Sequence, residues 1–181
     1  MAQYISLLRG INVSGQKLIK MAALKKMYEE LGFKDVATYL QSGNVVFQSS
    51  LTDEKHLEEM ITAAIVLNFG FEVQVFVLKR DAWKQIAASN PFAQDPDKAI
   101  EALYVTLLRD AAPEVSINKL SKWMTNGEEA IIDQKVIYLY YPNGYGKTKL
   151  SNNAVESALK CVATTRNWKT TLSLLSMIQD E

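Results

Sequence analysis

Residues 3–9 run apolar and alternating as a buried strand does, and Gly10 ends them. A polar loop leads to Lys20. Leu24, Met27, Tyr28 and Leu31 then recur at helical spacing, with Lys25, Lys26, Glu29 and Glu30 opposite and Gly32 at the position of a C-terminal cap. Residues 36–40 and 45–47 read as two strands around Gln41-Ser42-Gly43-Asn44, whose glycine supplies the positive φ of a tight hairpin. A second helix begins near Thr52 or Asp53, carries Leu57, Met60, Ile61, Ala64 and Ile65 on one face and stops at Gly70. Residues 72–78 alternate again. The order is β-α-β-β-α-β, that of a ferredoxin-like, split βαβ unit.

A short helix over residues 81–89, with Trp83, Ile86 and Ala87 inward, leads to Asn90-Pro91-Phe92 and the acidic connector Asp95-Pro96-Asp97. The pattern then starts over. A strand at 101–109 precedes a helix with Pro113 in its first turn and Asn126-Gly127 beyond its end. Residues 130–132 and 136–141 form a hairpin around Asp133-Gln134-Lys135. Asn153 and Glu156 offer a capping-box start to the next helix. A last helix, opened by Thr164-Thr165-Arg166-Asn167-Trp168, bears Trp168, Leu172, Leu175 and Ile178. Tyr4-Ile5-Ser6-Leu7-Leu8-Arg9 returns 100 residues later as Tyr104-Val105-Thr106-Leu107-Leu108-Arg109, so the two halves read as a duplication. The expectation is an α+β chain of two ferredoxin-like halves, the second lacking its closing strand and ending in a helix. The first half covers residues 1–79, a helical connector 80–99 and the second half 100–181.

Composition adds little to this. The chain of 181 residues is 48% hydrophobic and 22% charged, which places it among ordinary globular proteins. The lone Cys161 fits a reducing compartment, and neither a secretory leader nor a bilayer-length apolar run is evident, so a cytoplasmic protein with no membrane partner is expected. Net charge is zero, but its distribution is uneven. Residues 1–28 carry five basic side chains (Arg9, Lys17, Lys20, Lys25, Lys26) and no acidic one; residues 141–169 carry five against Glu156. Both basic segments contain a strand-to-helix loop.

Histidine catalysis is poorly supplied. His56, the sole histidine, lies among charges early in a helix, where a solvated surface role is the simpler reading, and no Cys/His cluster has metal-ligand spacing. No cofactor fingerprint is present, and no catalytic residue is assigned. The loop at residues 9–17 offers Arg9, Gly10, Asn12, Ser14, Gly15 and Lys17, the composition with which backbone N–H groups and cations wrap an anion. A connection needing glycine for its backbone explains the same residues equally well. The second loop contains Gly146-Lys147-Thr148-Lys149, which has the end of a phosphate-binding P-loop but Tyr141 where that motif needs its first glycine. Lys147, Thr148 and Lys149 remain candidate phosphate or carboxylate contacts, with Arg166 and Asn167 added from the last motif. Base stacking on Tyr4, Phe47, Tyr138 and Tyr140 is weighed against core packing, and nucleic acid is the less favoured partner.

Taken in order, Leu7-Leu8-Arg9-Gly10-Ile11-Asn12-Val13, Tyr39-Leu40-Gln41-Ser42-Gly43-Asn44-Val45-Val46-Phe47, Asn90-Pro91-Phe92 and Thr164-Thr165-Arg166-Asn167-Trp168 resemble the bacterial domain-of-unknown-function family 1697. The resemblance implies two ferredoxin-like subdomains and carries no reaction or ligand. Ser14 stands where the family often has the second glycine of a pair. Together these readings favour a binding protein for a small anionic or phosphorylated ligand. The alternatives are an enzyme acting on such a ligand without a histidine base, a module pairing through an open sheet edge in the second half, and a weak nucleic-acid binder.

Overall fold

The computed structural model describes residues 1–125 and 127–178. The first half contains β1 (Ala2–Leu8), α1 (Met21–Glu30), β2 (Lys34–Tyr39), β3 (Asn44–Ser49), α2 (Glu54–Phe69) and β4 (Val75–Lys79). Its antiparallel sheet has the order β2-β3-β1-β4. After α3 (Arg80–Ala88) the second half contains β5 (Leu103–Leu108), α4 (Ile117–Leu120), β6 (Glu129–Asp133), β7 (Val136–Tyr140), α5 (Asn152–Leu159), β8 (Ala163–Asn167) and α6 (Trp168–Met177). Its sheet has the matching order β6-β7-β5-β8. Two compact units result, one of Met1–Gln85 with residues 174–178, the other of Ile86–Ser173. The division falls inside α3 and α6, whereas the sequence suggests a connector at 80–99.

Local chemistry explains the first half well. Asp53 caps α2 by accepting from the Lys55 and His56 N–H groups, Gly70 ends it at φ +80°, and Leu57, Ile61, Ala64 and Ile65 share its buried face. In α1, Leu24, Met27 and Tyr28 are buried while Lys25–Glu29 and Lys26–Glu30 pair along the outside. The helices cover one sheet face, where Phe47 stacks on Tyr4 and meets Phe33 and Tyr28 with ring centroids 4.5–5.5 Å apart. Burial of rings this large dominates the energetics of a small core. The polar end of Tyr28 is satisfied by a 2.8 Å hydrogen bond shared with Ser6, and burial drives its ionisation well above the ordinary tyrosine range.

The second half departs from expectation in four places. Its closing strand is present: Ala163–Asn167 pairs with β5, Leu108 opposite Ala163 and Val105 opposite Arg166. Thr164-Thr165-Arg166 is therefore strand and only Asn167 caps the last helix, accepting from the Thr170 N–H at 2.8 Å. The β-branched pair of threonines fits a pleated strand as well as it fits a cap, and pairing with β5 decides. Along the last helix Trp168, Thr170, Thr171 and Leu174 are buried, as is Ile178 just beyond it, whereas Leu172 is exposed and Leu175 half-buried. The helix after Pro113 shrinks to α4 between short 3-10 turns at Glu114–Ser116 and Ser121–Trp123. Ser121 donates its hydroxyl to the Asn118 carbonyl there, a side-chain bond that competes with helix continuation. Asn126, expected beyond that helix, lies outside the described residues. Finally, Ser151 rather than Asn153 caps α5, accepting from the Ala154 N–H, and Glu156 turns to the Ala163 N–H at 2.8 Å.

That glutamate belongs to a device present in both halves. Glu54 and Glu58 of α2 accept from the N–H groups of Lys79 and Val77 at 3.0 and 2.9 Å, on the outer edge of β4. Asn152 and Glu156 of α5, also four residues apart, do the same work on β8: Glu156 takes the Ala163 N–H and Asn152 donates to its carbonyl at 3.0 Å. Side chains thus occupy backbone groups that would template another strand.

Candidate functional site

The loop between β1 and α1 is the strained part of the first half. Gly10, Asn12, Ser14, Gly15 and Lys17 all have positive φ, three of them non-glycine residues held at +48° to +54°. Such backbone persists only where neighbours over-determine it, and here the neighbours are named. The Asn12 carboxamide donates to the Ile19 carbonyl at 3.0 Å and the Gln41 carbonyl at 2.7 Å while accepting from the Ile19 N–H at 2.8 Å. The Arg9 N–H donates to Gln74, and the Lys17 ammonium to the Glu72 carbonyl at 2.8 Å. Val13 and Gln16 close the tip as an isolated bridge. The loop is thereby fastened to the β2–β3 hairpin on one side and to the entry of β4 on the other.

Gly43 makes the first attachment possible. Its carbonyl accepts from the Leu8 N–H at 2.8 Å, its φ is +77°, and an added Cβ would lie 2.6 Å from Leu8 Cβ and 2.9 Å from Ile11 Cδ1. Two requirements, conformation and space, therefore fall on one residue. Asn44, buried beside it, holds the turn by donating to the Tyr39 carbonyl and the Ser42 hydroxyl.

The candidate residues divide by half. In the first, Gly10, Ser14, Gly15 and Lys17 are exposed and Arg9 and Asn12 half-buried. In the second, Lys147 and Lys149 are exposed on a loop built from successive turns, with Gly144 donating to Tyr141 and Lys147 to Gly144. The Thr148 hydroxyl accepts from the Leu150 N–H at 3.0 Å, and Asn167 is the helix cap already described. Arg166 is only 9% exposed and donates to the Thr164 hydroxyl and Thr165 carbonyl, both at 2.9 Å. Burial pulls its guanidinium down to about 10, the nearby Tyr145 opposing the shift, so it stays charged at neutral pH. The 142–150 loop sits where β5 begins, since Tyr141 donates to Ala102. Within its half this is the opposite end from the loop that follows β5.

Tyr4 and Phe47 are fully buried on the helix-covered face, and Tyr138 is buried with its hydroxyl donating to the Ile86 carbonyl at 2.9 Å. Core packing accounts for these three rings, and the half-buried Tyr140 lies against Phe92 with the Lys98 ammonium 4.7 Å from its ring centroid. Burial pushes the Tyr138 phenol up to about 12. Sequence reasoning missed three contributors: Gln41, Glu72 and Gln74, which act through their carbonyls. Only pairing in space makes those visible. Among the described residues no group of three or more His, Cys, Asp or Glu side chains is placed to hold a metal, and no helix is long and apolar enough to cross a membrane.

The model of a family described as "Protein of unknown function (DUF1697)" matches residues 1–138. The chain belongs to this family. Three of the four resembling motifs lie within the matched segment, and Thr164–Trp168 lies beyond it. The fold of this DUF1697 protein is similar to that of "conserved bacterial protein SP0830 from Streptococcus pneumoniae", at a TM-score of 0.73 and 22% identity over 98% of this chain and 99% of the other. No curated protein matches the chain.

Proposed function

We propose that this protein binds a small anionic or phosphorylated ligand in the cytoplasm, at the loop of residues 9–17 in its first half. The observation that carries the reading is a largely exposed, left-handed loop that holds Arg9 and Lys17, with Lys20 just beyond it, and has no carboxylate of its own. Lys25 and Lys26 of the same basic segment pair with Glu29 and Glu30. Strained backbone held by a ring of internal bonds is a recurrent property of ligand clamps, and fixing the loop beforehand removes the ordering cost from binding. Arg9 offers a planar fork suited to carboxylate or phosphate. Of the three donors on the Lys17 ammonium, Glu72 takes one. The lone Cys161 is consistent with a reducing cytoplasm.

Lys147 and Lys149 supply a separate cationic loop in the second half, and the same experiment tests it. Thermal unfolding of the wild type with millimolar phosphate, pyrophosphate and citrate is expected to shift upward with at least one of them. Arg9→Ala is expected to weaken that compound roughly tenfold, the usual scale for losing one charge-assisted bond. Lys147→Ala with Lys149→Ala is expected to have little effect. No shift with any of the three, or equal loss from both variants, would remove the assignment to residues 9–17.

A further inference from the structure

The same loop, its continuation toward α1 and the hairpin fastened to it carry apolar side chains that neither backbone geometry nor anion binding explains. Val13, Leu18 and Leu40 are 58%, 67% and 56% exposed. They belong to two segments that are fastened together by the Asn12 carboxamide on the Gln41 carbonyl at 2.7 Å and by the Leu8 N–H on the Gly43 carbonyl at 2.8 Å. Leu40 itself has φ +56°, a conformation that a γ-branched residue adopts at a cost, at a hairpin position where Asn or Gly would serve the turn better. Arg9, Lys17 and Lys20 lie in the same stretch, and residues 1–28 contain no acidic side chain. Cations beside large exposed aliphatics complement a molecule that has both a negative group and an apolar part.

Resting on the anion-binding reading above, we infer that the ligand is a small amphipathic anion, a phosphate or carboxylate attached to an aliphatic chain or ring, with Arg9 and Lys17 facing the charge and Val13, Leu18 and Leu40 the apolar part. Burial of two methylenes against these side chains corresponds to about tenfold in affinity. Charge complementarity favours this occupant over a neutral hydrophobe, and the fixed spacing of the two fastened segments favours a small molecule over an extended surface.

The test compares octyl phosphate, below its micelle-forming concentration, with inorganic phosphate by calorimetry. The wild type is expected to bind octyl phosphate at least tenfold more tightly, and the Leu18→Ser, Leu40→Asn double variant to bind the two probes alike. Leu18 is exposed and Asn suits the left-handed backbone at residue 40, so the melting temperature of that variant is expected to stay the same or rise slightly. Independently, methyl resonances of Val13, Leu18 and Leu40 in the wild type are expected to shift with octyl phosphate and not with phosphate. Equal affinities in the wild type, or a preference that survives the double substitution, overturns the inference and leaves the anion-binding reading intact. Failure of both probes to bind overturns the inference, and the anion-binding reading falls with it only if pyrophosphate and citrate also leave the melting temperature unmoved. Sedimentation with phosphatidylglycerol vesicles, without binding of monomeric octyl phosphate, overturns the inference by giving the patch to a lipid surface.

Discussion

Leu8 and Leu108 donate to the carbonyls of Gly43 and Lys135 at the same 2.8 Å, and Arg9 and Arg109 donate to those of Gln74 and Val162 at 2.9 and 2.8 Å. Strand register agrees as well, Tyr4 lying opposite Phe47 and Lys79, and Tyr104 opposite Leu139 and Asn167. The halves then part at the next residue. Gly10 opens a loop with five left-handed residues, whereas Asp110 opens one whose backbone is held by the Cys161 sulfur at 3.2 Å and by the Ala112 N–H donating to Gln134. Asn12 reaches the first hairpin with its side chain; Ala112 reaches the second with its main chain. The two halves share a frame and differ in the loop that leaves the first strand, which is where a ligand site is expected to diverge.

The sharpest way to break this comparison is at the two equivalent turn carbonyls. Gly43→Ala forces a Cβ to within 2.6 Å of Leu8 Cβ at φ +77° and is expected to cost about 2–4 kcal/mol in denaturant unfolding. Lys135→Ala, at the corresponding carbonyl, is expected to stay within about 0.5 kcal/mol. Similar losses at both sites would show that the first turn has no special spatial requirement. Next in size is Asn12→Ala, which removes three hydrogen bonds and is expected to cost about 1–3 kcal/mol and to abolish anion binding even with Arg9 and Lys17 in place. If affinity survives, the loop does not need its fixed shape. Ala112→Ser, the counterpart, should leave stability and binding unchanged.

The smallest effects belong to the edge-capping carboxylates. Glu58→Ala and Glu156→Ala are each expected to cost about 1 kcal/mol and, combined, to produce concentration-dependent light scattering as the edges of β4 and β8 become available. A double variant that remains monodisperse would mean that other features protect those edges. Here the two halves should behave alike, so the experiment separates what they share from where they differ.

How much of this the chain announces depends on the range of the interaction. Gly43 and Gly70 were legible because a positive φ leaves a glycine at a fixed offset from an apolar run, and both turned up where the pattern places them. The α+β class and the first half's element order followed from periodicity together with turn and cap residues. The second half's last strand was not legible, because Thr164-Thr165-Arg166-Asn167 suits a cap as well as a strand and only β5 distinguishes them. The first half's four-strand count was the available clue. Around the candidate site, composition pointed to residues 9–17 but not to the task of Asn12, whose partners at Ile19 and Gln41 are carbonyls and an N–H that any sequence would contain.

The membership of Leu174 and Ile178 in the unit that begins at Met1 has a bearing on biosynthesis. Both are buried, at 0% and 3% exposure. A ribosome releases β1 through β4 long before it releases them, so every strand of the first unit's sheet is available while two of the unit's buried side chains are still to be made. Completion of that unit is therefore expected to come late in synthesis, although its residues are almost all made first.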